Sequence, residues 1–142
     1  MIPEISTFIA WWGAGLSTLL AIVKLRELWA DRFRVEVDYN FTGNENIGNK
    51  ILIRNIFSRP LILSHWKVLF CSGHWPLRKF ENILCSDLDA GDIRIESHSS
   101  QTLHFVGESD FDWGQETLKG RRIYIRLYVA GRQPILKLVY PK

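Results

Sequence analysis

Hydrophobic positions along this chain follow two distinct rhythms, and the change between them divides the sequence. From Ile5 to Val23 nineteen consecutive residues carry no formal charge. Wrapped at about 100° per residue, they leave no polar face, so the run predicts a helix that is apolar around its circumference. Pro3 suits the first turn of such a helix, and Leu25, Leu28 and Trp29 continue it in amphipathic form, which predicts one helix from about Pro3 to Arg32. After Asp31 the period becomes two. Phe33, Val35, Val37 and Tyr39 alternate with Arg34, Glu36 and Asp38, as in a half-buried strand.

Further strands come next, punctuated by turn residues. Asn44, Asn46, Gly48 and Asn49 mark a turn, and apolar runs at 50–55 and 61–70 bracket Ser58-Arg59-Pro60. The 77–85 stretch fits either a strand or a helical turn. Ile93 and Ile95 alternate around Arg94, and Leu103 and Phe105 around His104. From Arg121 to Ala130, Ile123, Ile125, Leu127 and Val129 form one face and Tyr124, Arg126 and Tyr128 the other; Gly131-Arg132-Gln133 then turns the chain into a strand at 135–140. Seven or eight short strands behind one helix predict an all-β domain at 33–142, an immunoglobulin-like β-sandwich or small barrel, following a transmembrane and juxtamembrane helix at 1–32.

Length supports the spanning reading. A hydrocarbon core of about 30 Å takes about 20 apolar residues at roughly 1.5 Å each. The larger apolar side chains of the run together favour insertion by about 3 kcal/mol. A cleaved signal peptide would want a positive start and a small-x-small site, whereas this chain opens Met-Ile-Pro-Glu and leaves the run through Lys-Leu-Arg-Glu-Leu-Trp. A soluble core helix would show one wet face, which the run with Trp11 and Trp12 lacks. Charge then sets an orientation: Glu4 alone precedes the run, while Lys24, Arg26, Arg32 and Arg34 follow it closely. The positive-inside rule expects that flank, and the β-domain with it, on the cytoplasmic side of the inner membrane, its cations against anionic headgroups. A reducing compartment also suits two unpaired cysteines, Cys71 and Cys85. Ala10, Gly13, Ala14, Ser17 and Ala21 fall three or four apart on one helix face, where small residues let two spanning helices approach and form a homo-oligomer.

The segment Ile51-Leu52-Ile53-Arg54-Asn55-Ile56-Phe57-Ser58-Arg59-Pro60-Leu61-Ile62-Leu63, placed after one apolar helix and a strand, resembles small bacterial membrane-anchored proteins with an immunoglobulin-like sandwich, in which an Asn, a short turn and Arg-Pro join two strands. This chain has Ile-Phe-Ser where a Gly is more usual. The resemblance covers about the first half of the chain and implies architecture without an activity.

Chemistry is sparse. His65, His74, His98 and His104 are scattered and show no zinc spacing, so neither a metal nor a cofactor is expected. Asp110-Phe111-Asp112, with Glu108 and Glu116 nearby, lacks the glycine-punctuated loop of a calcium site and a partner nucleophile, and is read as a solvated acidic loop. Asn40-Phe41-Thr42 matches the glycosylation pattern, which has no meaning in the cytoplasm. The overall charge of +3 hides a division: residues 87–116 hold eight acids against Arg94 alone, and residues 117–142 hold seven cations and no acid. If packing does not neutralise one stretch against the other, Arg121, Arg122, Tyr124, Arg126 and Tyr128 offer cations and aromatic faces for a nucleotide, though not for a DNA duplex.

Two functions are expected on these grounds. The first is a membrane-anchored, non-catalytic interaction module with a protein partner. The second is a ligand-gated membrane effector, whose β-domain binds a cyclic nucleotide and whose oligomerised helices disturb the bilayer; in layout the chain looks like such proteins of bacterial antiviral systems.

Overall fold

A computed structural model describes residues 3–141 of the 142-residue chain, which separates into two compact units, one ending at Phe33 and one beginning at Arg34. The first unit is helix α1, Pro3–Ala30. Glu4 in its opening turn complements the positive end of the helix dipole. Within the apolar run the Thr18 hydroxyl donates to the carbonyl of Ala14 at 2.8 Å, so this polar group is satisfied inside the helix itself. The helix stops two residues before the predicted Arg32. Asp31 N–H still reaches Glu27 O at 2.9 Å, but Arg32 N–H bonds Trp29 O at 3.3 Å, the tighter step that closes a last turn.

The second unit is all-β. Its strands are β1 (Val35–Asn40), β2 (Asn49–Asn55), β3 (Leu61–Ser72), β4 (Lys79–Cys85), β5 (Ile93–Ile95), β6 (Ser100–Phe105), β7 (Arg122–Val129) and β8 (Ile135–Tyr140), with a short helix α2 (Gln115–Leu118) before β7. The 77–85 ambiguity resolves as strand. One sheet has the order β1-β2-β6; the other runs β4-β3-β7-β8, with β5 also paired to β3. All pairings are antiparallel. In immunoglobulin lettering these sheets are A-B-E and C′-C-F-G, so the chain is an immunoglobulin-like sandwich. It departs from the lettered scheme at β5, which pairs Ile93–Ile95 with Leu61–Leu63 of β3 instead of lying beside β6.

The alternating apolar residues meet between the sheets. Val35, Val37, Ile51 and Ile53 from the smaller sheet and Leu63, Val68, Ile123, Ile125 and Leu127 from the larger are all buried. Phe105 bridges them, edge-on to Trp66 with ring centres 5.3 Å apart.

Both ends of β2 are marked by a buried asparagine. Asn49 Nδ2 donates to Asp110 Oδ1 and to Phe111 O, each at 2.7 Å, while its Oδ1 accepts the Thr42 N–H at 3.1 Å. Asn55 Nδ2 donates to the carbonyls of Arg59, Ile95 and Glu96 at 2.9, 3.2 and 3.1 Å, and its Oδ1 accepts the Phe57 N–H at 3.0 Å. Each amide thereby ties a neighbouring loop to one distant segment, 110–111 for Asn49 and 95–96 for Asn55, and the Asn55 clamp holds the turn that carries the chain from one sheet to the other. Beside Asn49, Gly48 has φ +68°, and a Cβ there would stand 2.1 Å from Phe105 O. No side chain fits without moving the backbone of β6.

Candidate ligand-binding and association surfaces

The β7 alternation places Arg122, Tyr124, Arg126 and Tyr128 on the face of the larger sheet turned away from the core, since Ile123, Ile125, Leu127 and Val129 are the buried set. Register brings β3 side chains beside them: Lys67 opposite Arg126, Leu69 opposite Tyr124, His65 opposite Tyr128 and Cys71 opposite Arg122. Lys67 Nζ lies 5.8 Å from the Tyr128 ring centre, and the Arg126 guanidinium lies 5.8 Å from that of Phe80. Phe80 meets Tyr124 edge-on at 6.0 Å. Tyr124 is buried, so its ring fills this surface and offers no open stacking face. Lys67 and Arg126 are like charges placed directly across a strand pair, an unfavourable neighbourhood that an anion between them would relieve. Neither makes an ion pair among the described residues.

Arg121 does not join this face. Its Nε donates to Leu118 O at 3.0 Å and its Nη2 to Thr117 O at 2.7 Å, closing the C-terminus of α2. Its Nη1 pairs with Glu81 at 3.2 Å, and the guanidinium stands 4.4 Å from the Phe70 ring centre. Its ion-pair partner is therefore a β4 acid outside the acidic 87–116 stretch. Conversely, Lys67 and His65 join the face from another strand, through a pairing that sequence spacing does not reveal. Their only signal in the sequence is placement within the apolar run at 61–70.

His65 has a structural partner. Ser86 Oγ accepts the Trp66 N–H at 3.2 Å and shares a hydrogen bond of 2.5 Å with His65 Nδ1. The pair pins the chain leaving β4 to β3. His98 holds a left-handed conformation, φ +54°, in the turn before β6. With Arg54, Asn55, Ile56, Ser99 and Ser100 it lines a cleft of about 250 Å³. Among the described residues no three His, Cys, Asp or Glu side chains converge as metal ligands.

The acidic loop forms one wall of a larger cleft, about 610 Å³, with Thr42, Glu45, Asn49, Phe111 and Trp113. Asp110 is engaged by Asn49. Asp112 accepts the Thr117 hydroxyl and the Gly114 N–H (2.9 Å for the latter), and these bonds, the hydroxyl foremost, hold its carboxyl below the usual carboxylate range. Both carboxylates thus organise the loop that leads into α2.

Along α1, Ala10, Gly13, Ala14, Ser17 and Ala21 share one side by the 100° step, and all are exposed. Of the flanking cations, Lys24 pairs with Glu27 at 2.7 Å and the Arg32 guanidinium sits 5.0 Å from the Trp29 ring centre. Arg26 is exposed, as is Arg34, whose carbonyl accepts the Ile56 N–H at 3.1 Å. Of the two free cysteines, Cys71 is buried and Cys85 exposed.

No family model matches the chain, and no curated protein matches it. Among solved structures, one described as "Crystal structure of protein from Archaeoglobus fulgidus" is similar at 16% identity over 75% of this chain and 90% of that one, with a TM-score of 0.28. At that level neither fold detail nor function carries across.

Proposed function

We propose that the protein is a single-pass inner-membrane protein whose cytoplasmic β-sandwich is a non-catalytic interaction module, with copies associating through the small-residue side of α1. The observation that carries this reading is the 26-residue segment Glu4–Trp29, long and apolar enough to cross a bilayer and with every described side chain exposed. Charge placement supports the orientation, because the cations cluster after the run. The exposed thiol of Cys85 supplies a test in the unmodified protein. In intact spheroplasts a membrane-impermeant maleimide is expected to leave it unlabelled, and permeabilisation to give full labelling; strong labelling of intact spheroplasts would overturn the cytoplasmic placement.

A second reading, an effector gated by an anionic nucleotide, draws on one specific feature: Lys67, Arg122 and Arg126 share a face with Tyr128. Titrating cyclic dinucleotides into the full-length protein in nanodiscs is expected to give micromolar heats on this reading. Arg126→Glu should weaken them at least tenfold. Titrations silent for every nucleotide tried leave the interaction module as the account.

A further inference from the structure

Five strands, β1, β4, β5, β6 and β8, bound the two sheets, and all but β6 carry devices that discourage pairing with another chain, β5 through its three-residue length and Arg94. β1 carries Glu36 and Asp38 and is covered by β8, with Tyr39 edge-on to Tyr140 at 5.2 Å. β8 carries Lys137 and runs into Pro141. β4 carries Lys79 and Glu81, and its pairing with β3 is interrupted by a register shift at Val68/Leu69. β6 has none of these. It reads Ser-Gln-Thr-Leu-His-Phe, without formal charge, proline, glycine or a break in its pairing with β2. β5, which would lie beside it in the lettered scheme, is paired to β3 instead, so among the described residues no strand occupies the second edge of β6.

We propose that this edge is a dimer interface, at which β6 pairs antiparallel with β6 of a second copy about a two-fold axis at Thr102. In that register Ser100 faces His104, Gln101 faces Leu103 and Thr102 faces itself. Odd residues meet odd residues, so buried Leu103 and Phe105 stay on the core side of their own domains, and two three-stranded sheets become one of six. Charge selects the partner. An isologous pair sets each strand against its own residues, and the same operation at Val37 of β1 would oppose Glu36 to Asp38, whereas β6 meets no like charge. The proposal rests on the membrane-anchored reading in one respect: tethering in a shared bilayer raises the effective concentration of weakly pairing domains.

The test is disulfide trapping in membranes holding the full-length chain with Cys85→Ser. Residues directly opposed across antiparallel strands have Cα atoms about 4.5–5.5 Å apart, within disulfide reach. Thr102→Cys is expected to give a dimer band on oxidation, and Glu36→Cys on β1 is not. The double variant Ser100→Cys with His104→Cys should also cross-link, and adding Thr102→Lys should cut that yield at least tenfold by opposing two lysines. Absence of a dimer at both 102 and 100/104, or equal yield at 36, overturns the pairing. Repetition with Ala14→Leu separates the edge from the helix: a Thr102→Cys dimer that persists supports β6, and one that vanishes assigns the contact to α1 and overturns it. Fractionation of the same samples separates the two proposals. Protein in the membrane pellet without trapping fails the pairing alone, whereas protein in the supernatant that still traps fails the anchor alone.

Discussion

Replacing Leu16 and Leu19 together by arginine is expected to move the protein from the membrane pellet to the supernatant. The apolar run favours insertion by about 3 kcal/mol, whereas each arginine near the bilayer centre costs about 2.5–3.5 kcal/mol and also removes a favourable leucine. Both positions lie within about 8 Å of the middle of the run at 1.5 Å per residue. The sum changes sign, and two cations that close to the midplane are too deep for both to reach the headgroups. Leu28→Arg, outside the uncharged run and beside existing charges, should leave the distribution unchanged. The measurement is immunoblotting after carbonate extraction and ultracentrifugation. A double variant retained in the pellet would show that something other than a spanning α1 holds the protein there.

Asn55→Ala is expected to be the most damaging single substitution among the polar residues of the sandwich. It leaves the Phe57 N–H without its acceptor and three carbonyls, those of Arg59, Ile95 and Glu96, without their donor. A buried polar group stripped of its partner costs about 1–3 kcal/mol, and water can reach the partly buried carbonyls but not the Phe57 amide or Ile95 carbonyl. A loss of roughly 3–4 kcal/mol is expected, which lowers Tm by roughly 12–25 °C for a domain of this size. Ile56→Ala, at an exposed neighbour, should cost under about 1 kcal/mol. Thermal melts of the two variants, followed by circular dichroism, decide the matter. A Tm shift for Asn55→Ala no larger than that of Ile56→Ala would mean that the turn is held by other contacts, such as the Ser97 hydroxyl on Phe57 O at 3.2 Å.

The two properties differ in how far the order of residues reveals them. A helix long and apolar enough to span a bilayer is legible in that order alone, because hydrophobic transfer is roughly additive and such a helix satisfies its backbone within itself. The role of Asn55 is only half legible. Its neighbourhood, Asn55 to Pro60, stands out as a joint between two strands, but its partners Ile95 and Glu96 lie forty residues away. Asn49 at the other end of β2 reads in sequence only as a turn residue, and it too reaches across the chain, to Asp110 and Phe111.

By itself the sequence determined one apolar helix, the change of rhythm after Asp31, the inward set of each alternating strand and the all-β class of the remaining chain. Those features depend on local periodicity and on area buried, which neighbouring residues encode. Only tertiary structure decided which strands are adjacent. It put Lys67 and His65 beside Arg126 and Tyr128, turned Arg121 away to close α2, and moved β5 onto β3 so that β6 is left as an open edge. Pairing between strands is set by long-range register and by competition among several near-equivalent apolar faces. That information belongs to no single stretch of the chain.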